Sequence, residues 1–297
     1  IGVIVPAYNA ENTIERALRS IAAQSRKPTE VVVVDDGSVD QTLKLALSMK
    51  QTLAEIKLTV LTQPNQGAAA ARNFALENIS VGLVAFLDAD DEWLPEKLST
   101  CWDTISSGAA TFTAHNGWIL DNGTESYLDI SSRFQAATDQ VYAGLYKRGF
   151  ISTSSVIARR KDIVAVRGFD TGLTVGQDFD LWLKLAALDE TKISILDDPL
   201  TRYHITKNSI TSQTEKRLES TLLIALRHAP TLRARPGGTW KNFIFRIAAI
   251  HWEAMQAYRN KRQFVAMLST LLKFGVRSVS LSIWFISGAK QTNTHTM

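Results

Sequence analysis

Cysteine is almost missing from this chain: Cys101 is the sole one in 297 residues, and histidine occurs only five times. A lone thiol closes no internal disulfide and builds no thiolate cage, which fits a reducing, cytoplasmic compartment. The histidines show no zinc spacing, so a Cys/His metal centre is excluded as well. No G-x-G-x-x-G follows the first apolar run and no G-x-x-x-x-G-K-S/T occurs anywhere, which argues against dinucleotide redox chemistry and a P-loop ATPase. No basic segment leading to an apolar core and a cleavage site opens the chain. It starts inside a strand pattern, Ile1-Gly2-Val3-Ile4-Val5, as it would if a few residues precede it. Acidic residues are scarce at one end. Residues 214–297 hold 13 Lys and Arg against three Asp and Glu, whereas residues 1–213 hold 20 against 26. A uniformly basic nucleic-acid binder would not divide this way, so no nucleic-acid partner is expected.

What is present is ordinary for a globular protein. Apolar residues make up 45% and charged ones 21%, which excludes disorder, collagen-like repeats and a polytopic membrane protein. Four short apolar runs, Ile1–Val5, Val31–Val34, Leu58–Leu61 and Leu83–Leu87, do not alternate with polar residues. That is the pattern of strands buried on both faces, hence of a parallel sheet. Between them Ile14, Ala17, Leu18, Ile21 and Ala22 mark one buried helix face. Ser38 with Gln41 reads as a capping box for a second helix, and Ala68–Ala71 leads a third that fades near Asn78-Ile79. The rhythm predicts an α/β fold with a doubly wound, mostly parallel Rossmann-like sheet.

In such sheets ligands bind beyond the carboxyl ends of the strands. There stand Pro6-Ala7-Tyr8-Asn9, Asp35-Asp36-Gly37-Ser38, Gln63-Pro64-Asn65-Gln66-Gly67 and Asp88-Ala89-Asp90-Asp91. Five carboxylates converging on one edge repel one another unless hydrogen-bond donors or a cation compensate, and a divalent cation is the economical solution. It would be hard and oxygen-loving, Mg2+ or Mn2+, bridging carboxylates to a diphosphate.

These segments, in this order, resemble the family 2 glycosyltransferases, inverting nucleotide-sugar-dependent enzymes of the GT-A fold. The resemblance is carried by Val3–Asn9, Val32–Ser38, Asn65-Gln66-Gly67 with Ala71-Arg72-Asn73, and Phe86–Asp91. It resumes at Ser154-Ser155-Val156, Gly168-Phe169-Asp170 and Gly176–Leu183, and ends near Tyr203-His204, so it covers roughly residues 1–210. It implies that Asp36 reads the base edge, that Pro6, Ala7 and Tyr8 wall the base and ribose pocket, and that Arg72 helps hold the nucleotide. Asp88, Ala89 and Asp90 match the D-x-D signature, Asp88 near the ribose and Asp90 holding the metal on the diphosphate. Asp178 matches the catalytic base. His204, with Ser209 beyond it, is similar to a position that contacts the diphosphate or metal in some members. The family's usual Glu-Asp pair is here Gln177-Asp178. Losing the neighbouring acid removes a like charge and should leave Asp178 more readily ionised. Asp180 is an alternative base, although two helical residues apart the carboxylates point about 160° from each other, so only one faces the cleft.

Structural readings stand beside these. Asp36 and Ser38 could cap the following helix, Asp91 a helix opening near Trp93-Leu94-Pro95-Glu96, and Asp178 the helix Phe179–Leu188. Arg72 could lie on a solvated face. His115, His228 and His251 are read as structural, and Trp118, Trp182 and Trp252 as core or groove walls. Glycines and polar runs between 113 and 165, among them Asp121–Thr124 and Ala136–Gln140, imply loops and short strands on the acceptor side.

Beyond 213 the strand pattern stops. A helix over Arg217–Arg227 is expected to break at Pro230 and again at Arg235–Gly238, with two more helices from about Thr239 and Lys261. Within Phe264–Ile286 a stripe of Thr270, Lys273, Arg277 and Ser280 makes the segment amphipathic, and its central charges argue against a span. It either packs on the catalytic part or lies on the anionic inner leaflet. The division expected is therefore a GT-A catalytic part over 1–213, with a nucleotide-sugar half (1–112) and an acceptor half (113–213), followed by a basic helical extension over 214–297. The expected partners are a nucleotide-sugar donor, a UDP-sugar in first place, a glycan or lipid-linked acceptor, and peripheral contact with the cytoplasmic face of the inner membrane. The expected setting is bacterial cell-surface or exported polysaccharide synthesis. Two other functions stay open. A sugar-nucleotide nucleotidyltransferase would need a glycine-rich Arg/Lys loop after the first strand, and a catalytically silent nucleotide-sugar module would suit Gln177.

Overall fold

The computed structural model describes residues 1–135, 140–149, 151–205 and 214–288. Ser209, most of the 136–140 loop and the approach to the 213/214 boundary lie outside them. The chain forms two compact units. The first comprises residues 1–136, 150–173 and 177–209, and the second 137–149, 174–176 and 210–297.

The first unit opens with β1 (Gly2–Ala7), α1 (Ile14–Ala22), β2 (Glu30–Asp35), α2 (Thr42–Ser48), β3 (Lys57–Thr62), α3 (Ala68–Asn78) and β4 (Leu83–Phe86). β1 pairs in parallel with β2 on one side and β4 on the other, and β3 extends the sheet beyond β2. Val3, Ile4, Val5 and Val31–Val34 are wholly buried, as strands covered on both faces must be. Ile14, Ala17, Leu18 and Ile21 of α1 join the same core. The expected capping box is not formed. α2 starts at Thr42, whose N–H donates to Asp40 Oδ1 at 2.9 Å, while Ser38 Oγ accepts from Asn9 N instead. A carboxylate is the stronger acceptor and takes the helix start.

The chain continues through β5 (Glu92–Trp93), α4 (Lys97–Ser106), β6 (Phe112–Asp121), β7 (Thr124–Leu128) and α5 (Ser131–Gln135). After α6 (Val141–Arg148), which belongs to the second unit, come β8 (Ile157–Arg159), α7 (Arg160–Ala165), α8 (Gln177–Ala186) and β9 (Ile193–His204). β8 runs antiparallel to β4 and joins the parallel half to β6, which lies parallel to β9. The strand order is β3-β2-β1-β4-β8-β6-β9-β5, with β7 on β6. The irregular middle expected from the sequence thus contains a ten-residue strand and a hairpin. Its turn is Asn122-Gly123 with φ of 47° and 82°, the left-handed pair that a tight hairpin demands. Buried Thr113, His115 and Asn116 hide the apolar period of β6. Asn116 earns its place by binding the Ile130 and Ser131 N–H groups and the Asp197 carbonyl. Trp182 is a core residue, ringed by Phe86, Phe112 and Phe169 at 5.3–6.2 Å. Trp118 is half-buried against Tyr127, whereas Trp252 is 60% exposed and is not core.

Lys97 is the unexpected core residue. Its side chain is wholly buried, with Nζ 3.7 Å from the centre of the Trp93 ring, and burial lowers its pKa to about 7. Beside it, burial and then the Lys97 charge push His115 to about 3, so the imidazole stays neutral. Between about pH 7 and the ordinary lysine range the unfolded chain holds a proton that the folded one does not. Stability therefore rises with pH across that window, and below it the full cost of a buried cation is present. Lys97→Met should stabilise the protein at pH 7 by roughly 2–4 kcal/mol, and the gain should shrink by pH 9 in paired thermal melts. An equal gain at both values would contradict the buried-cation account.

The second unit contains α6, α9 (Thr214–Ala234), α10 (Trp240–Asn260) and α11 (Phe264–Ser287). Thr239 caps α10 through its side chain, as its position suggests. Pro230 does not end α9, contrary to the expectation. Tyr146 Oη of α6 donates to the Ala225 carbonyl at 2.7 Å, and Tyr142 Oη reaches the His228 carbonyl at 3.4 Å. These hydroxyls tie α6 to α9 on either side of the Leu226 carbonyl, which Pro230 leaves without its helical donor.

Candidate active site

The site residues lie in the first unit, at the carboxyl ends of β1, β2 and β4 and on the segments that reach back to them. Ala7 closes β1 and its carbonyl accepts from the Asp36 N–H at 2.8 Å. Pro6 and Ala7 are buried, whereas Tyr8 is half exposed. The Asp36 carboxylate is buried and fully engaged. It accepts from Gln63 Nε2 at 2.7 Å and from the N–H groups of Gln66 and Gly67 at 2.9 and 2.8 Å. Asp36 thus pins the loop that opens α3. Gly37, at φ 73°, sits where an added Cβ would meet the Asn65 backbone at 2.8 Å, so glycine is required for this close approach.

α3 carries Arg72, which is buried rather than solvated, and its guanidinium meets Asp88 Oδ1 at 2.5 Å and lies over the Phe169 ring. A chain of contacts therefore runs from β2 through the α3 loop to the segment after β4. That segment is fastened by a 3-10 turn at Thr153–Ser155. Ser154 Oγ accepts from the Asp88 N–H at 3.0 Å and donates to Asp91 Oδ2 at 2.6 Å. Asp91 also accepts from the His204 backbone N–H. It caps no helix: Glu92-Trp93 forms β5 against β9, and α4 begins only at Lys97. Burial, with Asp88 and Asp90 beside it, raises the Asp91 pKa well above the carboxylate range.

The neighbouring residue of the same 3-10 turn reaches the other end of the site. Thr153 Oγ1 donates to Asp178 Oδ2 at 2.9 Å, and Asp178 Oδ1 accepts from the Phe179 N–H at 2.8 Å. Asp178 is half-buried in the first turn of α8. Asp180 is wholly buried and ion-paired with Lys184 at 2.7 Å, which removes it as an alternative base. Gln177 Nε2 donates to the Leu173 carbonyl, a bond that a carboxylate could not make. Thr153 and Asp91 are the residues that sequence reasoning missed as site-builders. The Ser154-Ser155 signal lay next to the first, and the second was legible only as a third acid after the D-x-D.

The electrostatics correct one expectation. The carboxylates at the strand ends are compensated largely by donors: Asp36 by the α3 loop, Asp88 by Arg72, Asp91 by Ser154. Among the described residues no group of three His, Cys, Asp or Glu could hold a metal ion by itself. The compensation is incomplete at Asp91, whose pKa burial still raises, and at Asp90. Burial, and then the Asp88 charge, raise the Asp90 pKa, and Arg16 donates to the Asp90 carbonyl rather than to its carboxylate. Ala89, between the two acids, is buried. His204 has its Nε2 3.5 Å from Glu92, and burial followed by Arg16 lowers its pKa, so the ring is neutral near pH 7.

The sequence profile described as Glycosyl transferase family 2 matches residues 2–164, more than half of the chain. The chain belongs to glycosyltransferase family 2. It is 30% identical over 75% of its length to the putative teichuronic acid biosynthesis glycosyltransferase TuaG of Bacillus subtilis, of which it covers 86%. It is likewise 30% identical over 74% of its length to UDP-Glc:alpha-D-GlcNAc-diphosphoundecaprenol beta-1,3-glucosyltransferase WfgD of Escherichia coli, covering 82% of it. Among solved structures, S. aureus TarS 1–349 in complex with UDP-GlcNAc aligns over 94% of this chain and 81% of its own, with a TM-score of 0.70 at 22% identity. The mannosyltransferase PcManGT from Pyrobaculum calidifontis, in complex with GDP-Man and Mn2+, aligns over 94% and 86% with a TM-score of 0.66 at 18% identity. These likenesses establish the GT-A-type fold, and the family establishes a glycosyltransferase whose relatives act in polysaccharide biosynthesis.

Proposed function

We infer that this glycosyltransferase inverts the anomeric centre of a nucleotide-sugar, a UDP-sugar in first place, as it moves the sugar to a hydroxyl of a glycan or lipid-linked acceptor. In this reading residues 1–213 are the catalytic part, with 1–112 holding the donor and 113–213 facing the acceptor. One observation carries it. Adjacent residues of a single turn, Thr153 and Ser154, hold the Asp178 carboxylate and the Asp88–Asp91 segment, so base and donor site are built as one assembly.

Inversion needs the acceptor hydroxyl to attack from the face opposite the departing diphosphate. Each Asp178 oxygen accepts one hydrogen bond in the structure and has a further lone pair with which to take the acceptor's proton. Pro6, Ala7 and Tyr8 wall the base and ribose, Asp36 sets the loop beside them, and Arg72 acts through Asp88. A divalent cation fits Asp90, because it would relieve the burial and repulsion that raise the pKa of that carboxyl. Asp90, with His204 if its ring leaves Glu92, would hold Mn2+ or Mg2+ together with donor oxygens. When bound, the cation neutralises charge building on the leaving diphosphate. The basic extension, residues 214–297, places the enzyme peripherally on the cytoplasmic face of the inner membrane, near lipid-linked acceptors.

A panel of nucleotide-sugars with Mn2+ tests the donor. The matching donor at about 100 Kd should stabilise the protein by about 2.7 kcal/mol in thermal melts, and nucleotide release should then depend on acceptor. Donor-induced stabilisation without release under any acceptor would favour a silent binding module.

A further inference from the structure

We propose that α11 lies in the plane of a lipid bilayer surface with one apolar face inserted among the acyl chains. This deepens, and rests on, the peripheral membrane contact inferred above, because it names insertion rather than charge as the main attachment.

The helix is built inside out for a protein in water. Val265, Leu268, Leu272, Val276, Val279 and Ile283 recur at three- and four-residue steps, so they share one stripe. Each is more than half exposed, Val276 at 75%. The opposite side carries polar groups: Thr270 is buried with its hydroxyl on the Ala266 carbonyl, and Arg277 is half-buried. Of the polar stripe Thr270, Lys273, Arg277 and Ser280, Lys273 and Ser280 are exposed. A surface helix of a soluble protein turns its apolar stripe inward, and an unbroken apolar stripe of this length marks an interaction surface.

Three observations choose the partner. α11 spans 24 residues with a mean hydropathy of 1.4, enough apolar length to cross a bilayer. Yet it packs along α10, Phe285 stacked on Phe243 at 4.5 Å and Phe274 beside His251 at 5.2 Å. α10 bears Lys241, Arg246, Glu253 and Arg259, so this hairpin cannot cross and must lie at the surface. Finally, α11 contains no acidic residue, and its two cations are Lys273, exposed, and Arg277, half-buried on the opposite side. Pairing with a second copy would set like charges side by side without partners, whereas anionic headgroups complement them.

Flotation of the full chain with vesicles decides it. Wild type should float with neutral phosphatidylcholine vesicles, and with vesicles holding phosphatidylglycerol should lose no more than about threefold in about 0.5 M NaCl, where surface charge is screened. Val276→Asp with Ile283→Asp should lower the bound fraction at least about tenfold, with donor-induced thermal stabilisation unchanged as proof of folding. Val276→Cys labelled with an environment-sensitive dye, which is selective because Cys101 is buried, should shift its emission to the blue on meeting vesicles. Binding confined to anionic vesicles, abolished by salt and indifferent to the Asp pair, would overturn insertion while leaving peripheral contact intact. No binding to any vesicle would overturn both. A lipid-free dimer that the Asp pair converts to monomer, with no blue shift on vesicles, would assign the face to a second copy and overturn the proposal.

Discussion

Replacing Asp178 with Asn should lower turnover by about 10²–10⁴-fold while the affinity for the donor stays as it was. The amide keeps the shape of the carboxylate but cannot take a proton from the acceptor hydroxyl. Its oxygen can still accept from Thr153, so the 3-10 turn and the Asp88–Asp91 segment should hold. Single-turnover rates and donor binding, measured on the same preparation, separate the two effects. Unchanged turnover in the purified variant would defeat the assignment. Thr153→Val supplies the companion measurement. Losing the hydroxyl that holds the carboxylate in place should lower turnover while donor affinity and thermal stability stay as they were. A substitution that only loosened the fold would lower all three together.

The second large effect is expected at Asp90. Asp90→Asn should weaken manganese-dependent UDP binding by about 100-fold or more, since even indirect supports of a bound metal are worth 10–100-fold. Calorimetric titration of UDP with and without Mn2+ measures it, and affinity equal to wild type would refute the role. Asp88 makes a useful contrast because it spends its carboxylate on Arg72. Asp88→Asn should lower nucleotide affinity through the loop rather than abolish its dependence on metal.

Much of the architecture was legible from local pattern. Runs such as Val31–Val34 are apolar at every position because both sheet faces are covered, and that requirement acts on each residue separately. The strand-end loops were legible for the same reason, since D-x-D and the α3 loop are contiguous in the chain. The hairpin of β6 and β7 was not, because buried Asn116 and His115 break the period: Asn116 is held by partners from distant segments, and His115 is buried as a neutral ring on its neighbour's carbonyl. Nor was the passage of α9 through Pro230, beside which two tyrosines about 80 residues earlier bond the helix.

By itself the amino-acid sequence determined the strand and helix order as far as β4, the family, the acids beyond β2 and β4, and the uneven division of charge. Each of these is written in neighbouring residues or in simple counts. Only the tertiary structure decided what those groups are engaged with. It tied Asp36 to a loop, Arg72 to Asp88, and Asp180 to Lys184; it hung Asp178 and Asp91 on one turn, and it turned the apolar stripe of α11 outward. Hydrogen bonds and burial depend on which residues meet across long stretches of chain, and spacing along the sequence holds no record of those meetings.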